Sequence, residues 1–120
     1  MIVAGIGFRR EAPVAALRAA LALSARPVQA LATAAHKAEA PQITQLAAEM
    51  NLPLIPVAEA TLAAQTTLTQ SAGQIARFGT GSLAEAAALA VAGPGARLIV
   101  RRVISPCGMA TAALAEGPDK

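Results

Sequence analysis

The residues best equipped for chemistry lie in two glycine-marked segments. One is Gly5-Ile6-Gly7-Phe8-Arg9-Arg10, directly after an N-terminal apolar run. The other is Gly79-Thr80-Gly81-Ser82-Leu83-Ala84-Glu85, which opens a helical stretch. Glycine permits close backbone approach, and a helix amino end carries partial positive charge, so backbone N–H groups in such loops can face an anion. Arg9 and Arg10 add two guanidiniums suited to carboxylate or phosphate. The pattern points to an anionic ligand without saying which one.

The elements that position these residues follow from periodicity. Ile2 to Ile6 is an apolar run of strand length. Pro13 suits a helix start, and Val14, Leu17 and Leu21 then share one helical face. Val28 to Thr33 predicts a second strand, and Pro41 begins a helix whose Ile43, Leu46, Ala47 and Met50 have amphipathic spacing. Leu52 to Ile55 is a short strand that Pro53 and Pro56 make either marginal or an edge. Ala58 to Ala64 reads as helix and Gln65 to Gln70 as loop. Ser71 with Gln74, and Ser82 with Glu85, have the spacing of capping boxes. Arg97 to Ile104 is the clearest strand, turned at Ser105-Pro106-Cys107-Gly108 and returning antiparallel over Met109 to Ala115.

Strands alternating with helices, then a hairpin, predict a single three-layer α/β/α domain over 1–115, its mixed sheet ending in the antiparallel hairpin. Residues 116–120 read as a disordered tail. Ligands of open α/β sheets bind beyond the carboxyl ends of the parallel strands. Gly7 to Arg10 and Thr33 to Glu39 both follow strands, so they should converge on one crevice, with the Gly79 loop as a third wall.

Composition narrows the partners. The chain has 120 residues, 55% of them hydrophobic, and a mean hydropathy of +0.52. Alanine accounts for most of this, and no run of about 18 residues is free of charge and proline, so no membrane span is expected. Arg9 and Arg10 come too early for a signal peptide. A cytoplasmic protein is expected, and the single Cys107 fits a reducing compartment. One cysteine and one histidine exclude a soft-ligand zinc site, and neither metal nor organic cofactor is expected. Net charge is +3, and eight of the ten basic residues are arginine. With two phenylalanines and no tryptophan or tyrosine, platforms for stacking bases are few, which disfavours nucleic acid.

Several of these residues also have plain structural readings. Gly5 and Gly7 can simply end a strand, and Arg9 and Arg10 can be solvated charges. Lys37 and Glu39 fit either an exposed pair or an acid–base couple at a strand's carboxyl end. His36 is a minor third candidate for catalysis. Capping accounts for Ser71, Ser82 and Glu85. Cys107 is expected in a turn away from the crevice. Arg101 and Arg102 should face opposite sides of the sheet.

Taken in order, these segments resemble cobalamin-biosynthesis proteins of the CobE type, similar to the C-terminal domain of CbiG. The likeness rests on Gly5-Ile6-Gly7 with Arg9-Arg10, on Thr33 with Lys37 and Glu39, and on Ser71. It continues through "GTGSLAEAAAL" from Gly79 to Leu89, and through Arg101-Arg102 followed by Gly108-Met109-Ala110-Thr111. It spans residues 1 to about 115. Phe8 and Glu11 depart from the family's habit of small or polar residues there. The resemblance implies a role in building the corrin ring. CbiG-like proteins open a ring lactone of a cobalt-precorrin and release acetaldehyde, and this chain corresponds to their C-terminal part.

A corrin precursor is an apolar disc fringed with carboxylates. The expected ligand-binding set is Gly5, Gly7, Arg9, Arg10, Thr33, Gly79, Thr80, Gly81 and Ser82, with Lys37, Glu39 and His36 as catalytic candidates. Other corrin-biosynthetic enzymes are the expected protein partners, with no nucleic acid and no membrane. Two alternatives stand beside this. Gly79-x-Gly81-x-x-Ala84 fits a relaxed dinucleotide fingerprint, and alanine-rich surfaces suit an accessory subunit.

Overall fold

The computed structural model describes residues 1–63 and 83–117. Five strands form one sheet: β1 (Ile2–Phe8), β2 (Ala30–Ala34), β3 (Leu54–Val57), β4 (Arg97–Ile104) and β5 (Ala110–Glu116). Among the described residues four helices flank it: α1 (Val14–Leu23), α2 (Pro41–Met50), α3 (Glu59–Ala63) and α4 (Leu83–Ala92). The strand order is β3-β2-β1-β5-β4. β1, β2 and β3 are parallel neighbours, whereas β5 is antiparallel to both β1 and β4. The sheet is therefore mixed and ends in the antiparallel hairpin that the sequence predicts.

Alternation along the strands sorts the core into two layers. Ala4, Ile6 and Phe8 of β1 join Leu31, Leu114, Leu17, Leu21, Ile43 and Leu46 under α1 and α2. Val3, Ala30, Ala32 and Val57 pack on the opposite face with Leu62, Leu83, Ala86 and Ala87 of α3 and α4. Leu17, Leu31, Ile43, Leu46 and Leu114 are fully buried, each worth about 1.5–3 kcal/mol relative to exposure. Three layers follow because each face of the sheet is apolar and needs its own helical cover.

Local boundaries differ from expectation where tertiary contacts intervene. β1 continues through Gly7 and Phe8 because β5 pairs along its whole length, down to Phe8↔Ala110. β2 and β3 lie about two residues later than the apolar runs imply, registered on β1 and on each other. β3 takes an edge position, as suits Pro56 within it. Met50 is 40% exposed rather than buried, because α2 ends there with Asn51 left-handed at φ 55°. β5 runs through Glu116, the first residue of the expected tail, and Gly117 donates its N–H to the Met1 carbonyl. Residues 118–120, together with Gln65 to Gln70 and the Ser71–Gln74 box, lie outside the described residues.

Candidate functional site

Because β5 is antiparallel to both neighbours, β4 runs in the same direction as β1, β2 and β3. The carboxyl ends of four strands therefore share one edge. The Arg9–Ala12 loop, the Ala35–Lys37 turn of 3-10 helix and the Ser105–Met109 hairpin all emerge there. α4 lies antiparallel on β1. A β-carbon on Gly7 would stand 3.8 Å from Leu83 at its amino end, and one on Gly117 would meet Ala92 at its carboxyl end. The partly positive amino end of α4 thus also faces this edge.

Gly5 serves this helix contact, whereas Gly7 makes room for the Thr111 side chain of β5. Both are buried inside β1 rather than in the loop expected from their spacing. A β-carbon on Gly5 would come within 1.9 Å of the Ala84 carbonyl oxygen, and one on Gly7 within 2.7 Å of Thr111 Oγ1. The close approach that glycine permits is by helix α4 at Gly5 and by the Thr111 hydroxyl at Gly7. Thr33 is likewise fully buried, and its hydroxyl donates to the Ile6 carbonyl at 2.8 Å. It occupies that carbonyl just beyond the last paired position of β1 with β2, Gly5↔Ala32.

Above this floor, Phe8, Arg10, His36, Lys37, Ala40, Pro41 and Gln42 line a half-open pocket of about 480 Å³. The structure therefore brings Arg10, His36 and Lys37 together, as sequence spacing predicts. None of these lining residues is acidic. Lys37 Nζ donates to the Phe8 carbonyl and lies 4.8 Å from the centre of the Phe8 ring. A carbonyl and a ring face therefore both stand against its ammonium in the pocket wall. Arg10 and His36 are exposed at the rim. Glu39 is exposed outside the lining, and Arg9 is exposed with its N–H donated to the Met109 carbonyl at 2.8 Å. Gly79, Thr80, Gly81 and Ser82 lie outside the described residues, so of the fingerprint only Ala84 is described, buried against Gly5.

The Arg9–Met109 bond brings the hairpin to the same edge, while Cys107 in its turn stays outside the pocket lining, as expected. The turn has its expected chemistry: Gly108 donates to the Ser105 carbonyl at 2.8 Å and has φ 76°. Ser105 Oγ accepts the Ala110 N–H at 3.2 Å and lies 3.4 Å from Cys107 Sγ. The Ser105 hydroxyl, and then the Met109 backbone, hold the exposed Cys107 thiol below its ordinary pKa.

Two further residues shape the site without having been singled out for it. Gln42 Nε2 donates to the Arg10 and Ala12 carbonyls, each at 3.0 Å. Its position directly after Pro41, in the first turn of a helix that follows a parallel strand, is the sequence signal for such a role. Glu85 is fully buried, and Oε2 accepts the Arg102 N–H at 2.9 Å. That N–H lies where the β4–β5 register is broken between Val100 and Val103. Capping alone does not account for Glu85. Among the described residues no cluster of metal-ligating side chains occurs, and no helix is long and apolar enough to cross a membrane.

A mixed five-strand sheet covered by helices on both faces, with a cationic, partly apolar pocket beyond its parallel strand ends, defines a small three-layer α/β domain. The chain belongs to the family described as Cobalamin synthesis G C-terminus, CbiG_C, whose profile matches residues 2–115. It is thus a protein of cobalamin biosynthesis.

Its structure is similar to that of CobE, described as a protein from the cobalamin (vitamin B12) biosynthetic pathway. The two are 32% identical over 100% of this chain and 92% of that one, with a TM-score of 0.87. Cobalamin biosynthesis protein chiG from Agrobacterium tumefaciens str. C58 is 36% identical over 99% of this chain and 100% of that one, with a TM-score of 0.73. A protein described as a cobalamin biosynthesis protein G homologue from Sulfolobus solfataricus shares the fold at 20% identity and a TM-score of 0.69. The match covers 95% of this chain and 36% of that protein. No curated protein sequence matches at a significant level.

Proposed function

We propose that this protein binds a corrin precursor through its carboxylate fringe, as a carrier or as part of a ring-modifying step, and that it works in the cytoplasm. The observation that carries the reading is the convergence of Arg10 and Lys37 on a pocket lined also by Phe8, Ala40 and Pro41, and by no acid among the described residues. Arginine and lysine stabilise a carboxylate by charge-assisted hydrogen bonds, while the apolar wall accepts the aliphatic arm that bears it. At about 480 Å³ the pocket suits a side arm rather than the whole macrocycle. In this arrangement the disc rests across the strand ends, between the Arg9–Ala12 loop and the Ser105–Met109 hairpin. An exposed free thiol at Cys107 agrees with a reducing compartment.

The test is retention of hydrogenobyrinic acid, a metal-free corrin fringed with free carboxylates, by the purified protein after desalting. Retained and shifted visible absorbance is expected, and each direct arginine contact should contribute about 1.5–3 kcal/mol, lost in Arg10→Ala. Binding that is unchanged in Arg10→Ala and Lys37→Met would place the ligand elsewhere. No retention of this corrin or of earlier precorrins would overturn the reading in favour of an accessory subunit. Acetaldehyde release from the lactone intermediate would separate enzyme from carrier.

A further inference from the structure

We infer that Gln42 is a positioning residue for the anion site, acting by holding the arginine loop in its binding shape. The inference rests on the corrin-carboxylate reading for its ligand, but its geometry stands on the loop alone. After Phe8 the chain leaves the sheet and exposes Arg9, Arg10 and Glu11 before Ala12 is buried again. Such a loop has few apolar contacts to define it, so its shape depends on where its backbone groups are bonded. Three alternate carbonyls are taken by side chains from the segment that follows β2: Phe8 by Lys37, and Arg10 and Ala12 by Gln42. The Ala12 N–H closes a turn onto the Arg9 carbonyl at 3.0 Å, and the Arg9 N–H is anchored to Met109 at 2.8 Å.

Gln42 is suited to this task by chemistry. A primary amide has two N–H donors on one nitrogen, enough for two carbonyls at once. A lysine or arginine could make the same bonds but would add charge to the pocket, and a glutamate would present acceptors to acceptors. Both bonds are 3.0 Å long, and the residue is half-buried in the first turn of α2, whose Ile43 and Leu46 anchor it to the core. Gln42 therefore transmits the rigidity of α2 to the backbone that carries the Arg10 guanidinium. Loss of its bonds should leave the fold intact and let Arg10 sample orientations away from the pocket, lowering the population competent to bind.

The experiment is a double-mutant cycle with hydrogenobyrinic acid as the probe, combined with amide exchange in the free protein. Gln42→Met keeps the length and apolar stem of the side chain and removes both donors. In the free protein it should speed exchange of the Ala12 amide by about tenfold, with the thermal midpoint close to that of the parent. It should weaken corrin binding about tenfold, and that loss should shrink toward none when Arg10 is already alanine.

An equal loss in both backgrounds would mean a general structural role and would overturn the inference. So would unchanged affinity in Gln42→Met while Arg10→Ala binds weakly. If Arg10→Ala binds as the parent does, Arg10 is not the group being positioned, and the pocket reading falls with the inference. If the parent retains no corrin, the functional reading fails by itself. Exchange at Ala12 then decides about Gln42, and an unchanged rate sinks its hold on the loop.

Discussion

At the scale of single residues, the most informative contrast is between Gly5 and Cys107. Gly5 belongs to a motif that suggests an anion-binding loop, yet the position is buried in β1 against the Ala84 carbonyl. A methyl group 1.9 Å from a backbone oxygen must push α4 off the sheet. Gly5→Ala should therefore cost about 3 kcal/mol, at the upper end for overpacking, measured by urea unfolding. A near-neutral result would mean that α4 is more loosely seated.

Cys107 presents the opposite case, since a turn residue expected to be structural has neighbours that act on its thiol. The Ser105 hydroxyl and the Met109 backbone favour its thiolate. The protein should react with a thiol-specific reagent near neutral pH faster than a free cysteine does, and Ser105→Ala should slow it. Equal rates in parent and variant would dismiss the Ser105 contribution.

At the scale of elements, the edge strand β4 shows how a buried acid can serve architecture. Its pairing with β5 slips between Leu98 and Val103, so backbone groups there need other partners. Glu85, from the first turn of α4, supplies one by accepting the Arg102 N–H. Its carboxylate also lies at the positive end of the helix, which stabilises negative charge. Replacing Glu85 with leucine removes the acceptor and should cost about 2–3 kcal/mol, whereas glutamine, which retains an oxygen acceptor, should cost about half as much. Denaturant midpoints of the two variants check the order. Leucine as mild as glutamine would show that the Arg102 N–H finds water.

At the scale of the whole molecule, the helical layer over β1 and β5 is tied together on its outer side by Arg18 and Glu49. The guanidinium spans α1 and α2, with Nη2 at 2.8 and 2.9 Å from the two carboxylate oxygens. The Arg18 hydrogen bond, then that of Gln45, lowers the Glu49 pKa. A carboxyl whose folded pKa is depressed stabilises the fold above its unfolded value of 4.5, and that contribution is lost as pH falls through the folded value. Arg18→Ala should therefore return the Glu49 titration toward 4.5, followed by carboxyl NMR shifts, and should flatten the acid side of the stability profile. Both groups are well exposed, so solvent screening keeps the effect small. An unmoved titration would mean that the pair is not populated in solution.

The sequence by itself determined the alternation of elements, the sheet class, the turn at Gly108 and the presence of a cationic strand exit at Arg9 and Arg10. Each of these is written in local periodicity or in a residue's own conformational preference, which neighbours along the chain suffice to express. The grouping of Arg10, His36 and Lys37 was also legible, because parallel strands must deliver their exits to a common edge. Only the tertiary structure decided that Gly5 seats a helix, that Gly7 makes room for Thr111, and that Thr33 closes a gap between strands. It also placed the hairpin of Cys107 beside Arg9 and turned Gln42 back onto the arginine loop. The physical reason is separation along the chain: Gln42 and Arg10 are 32 residues apart, and Thr111 and Gly7 are 104 apart. Such partners meet only after the sheet has formed, and no local preference in either segment encodes the other's position.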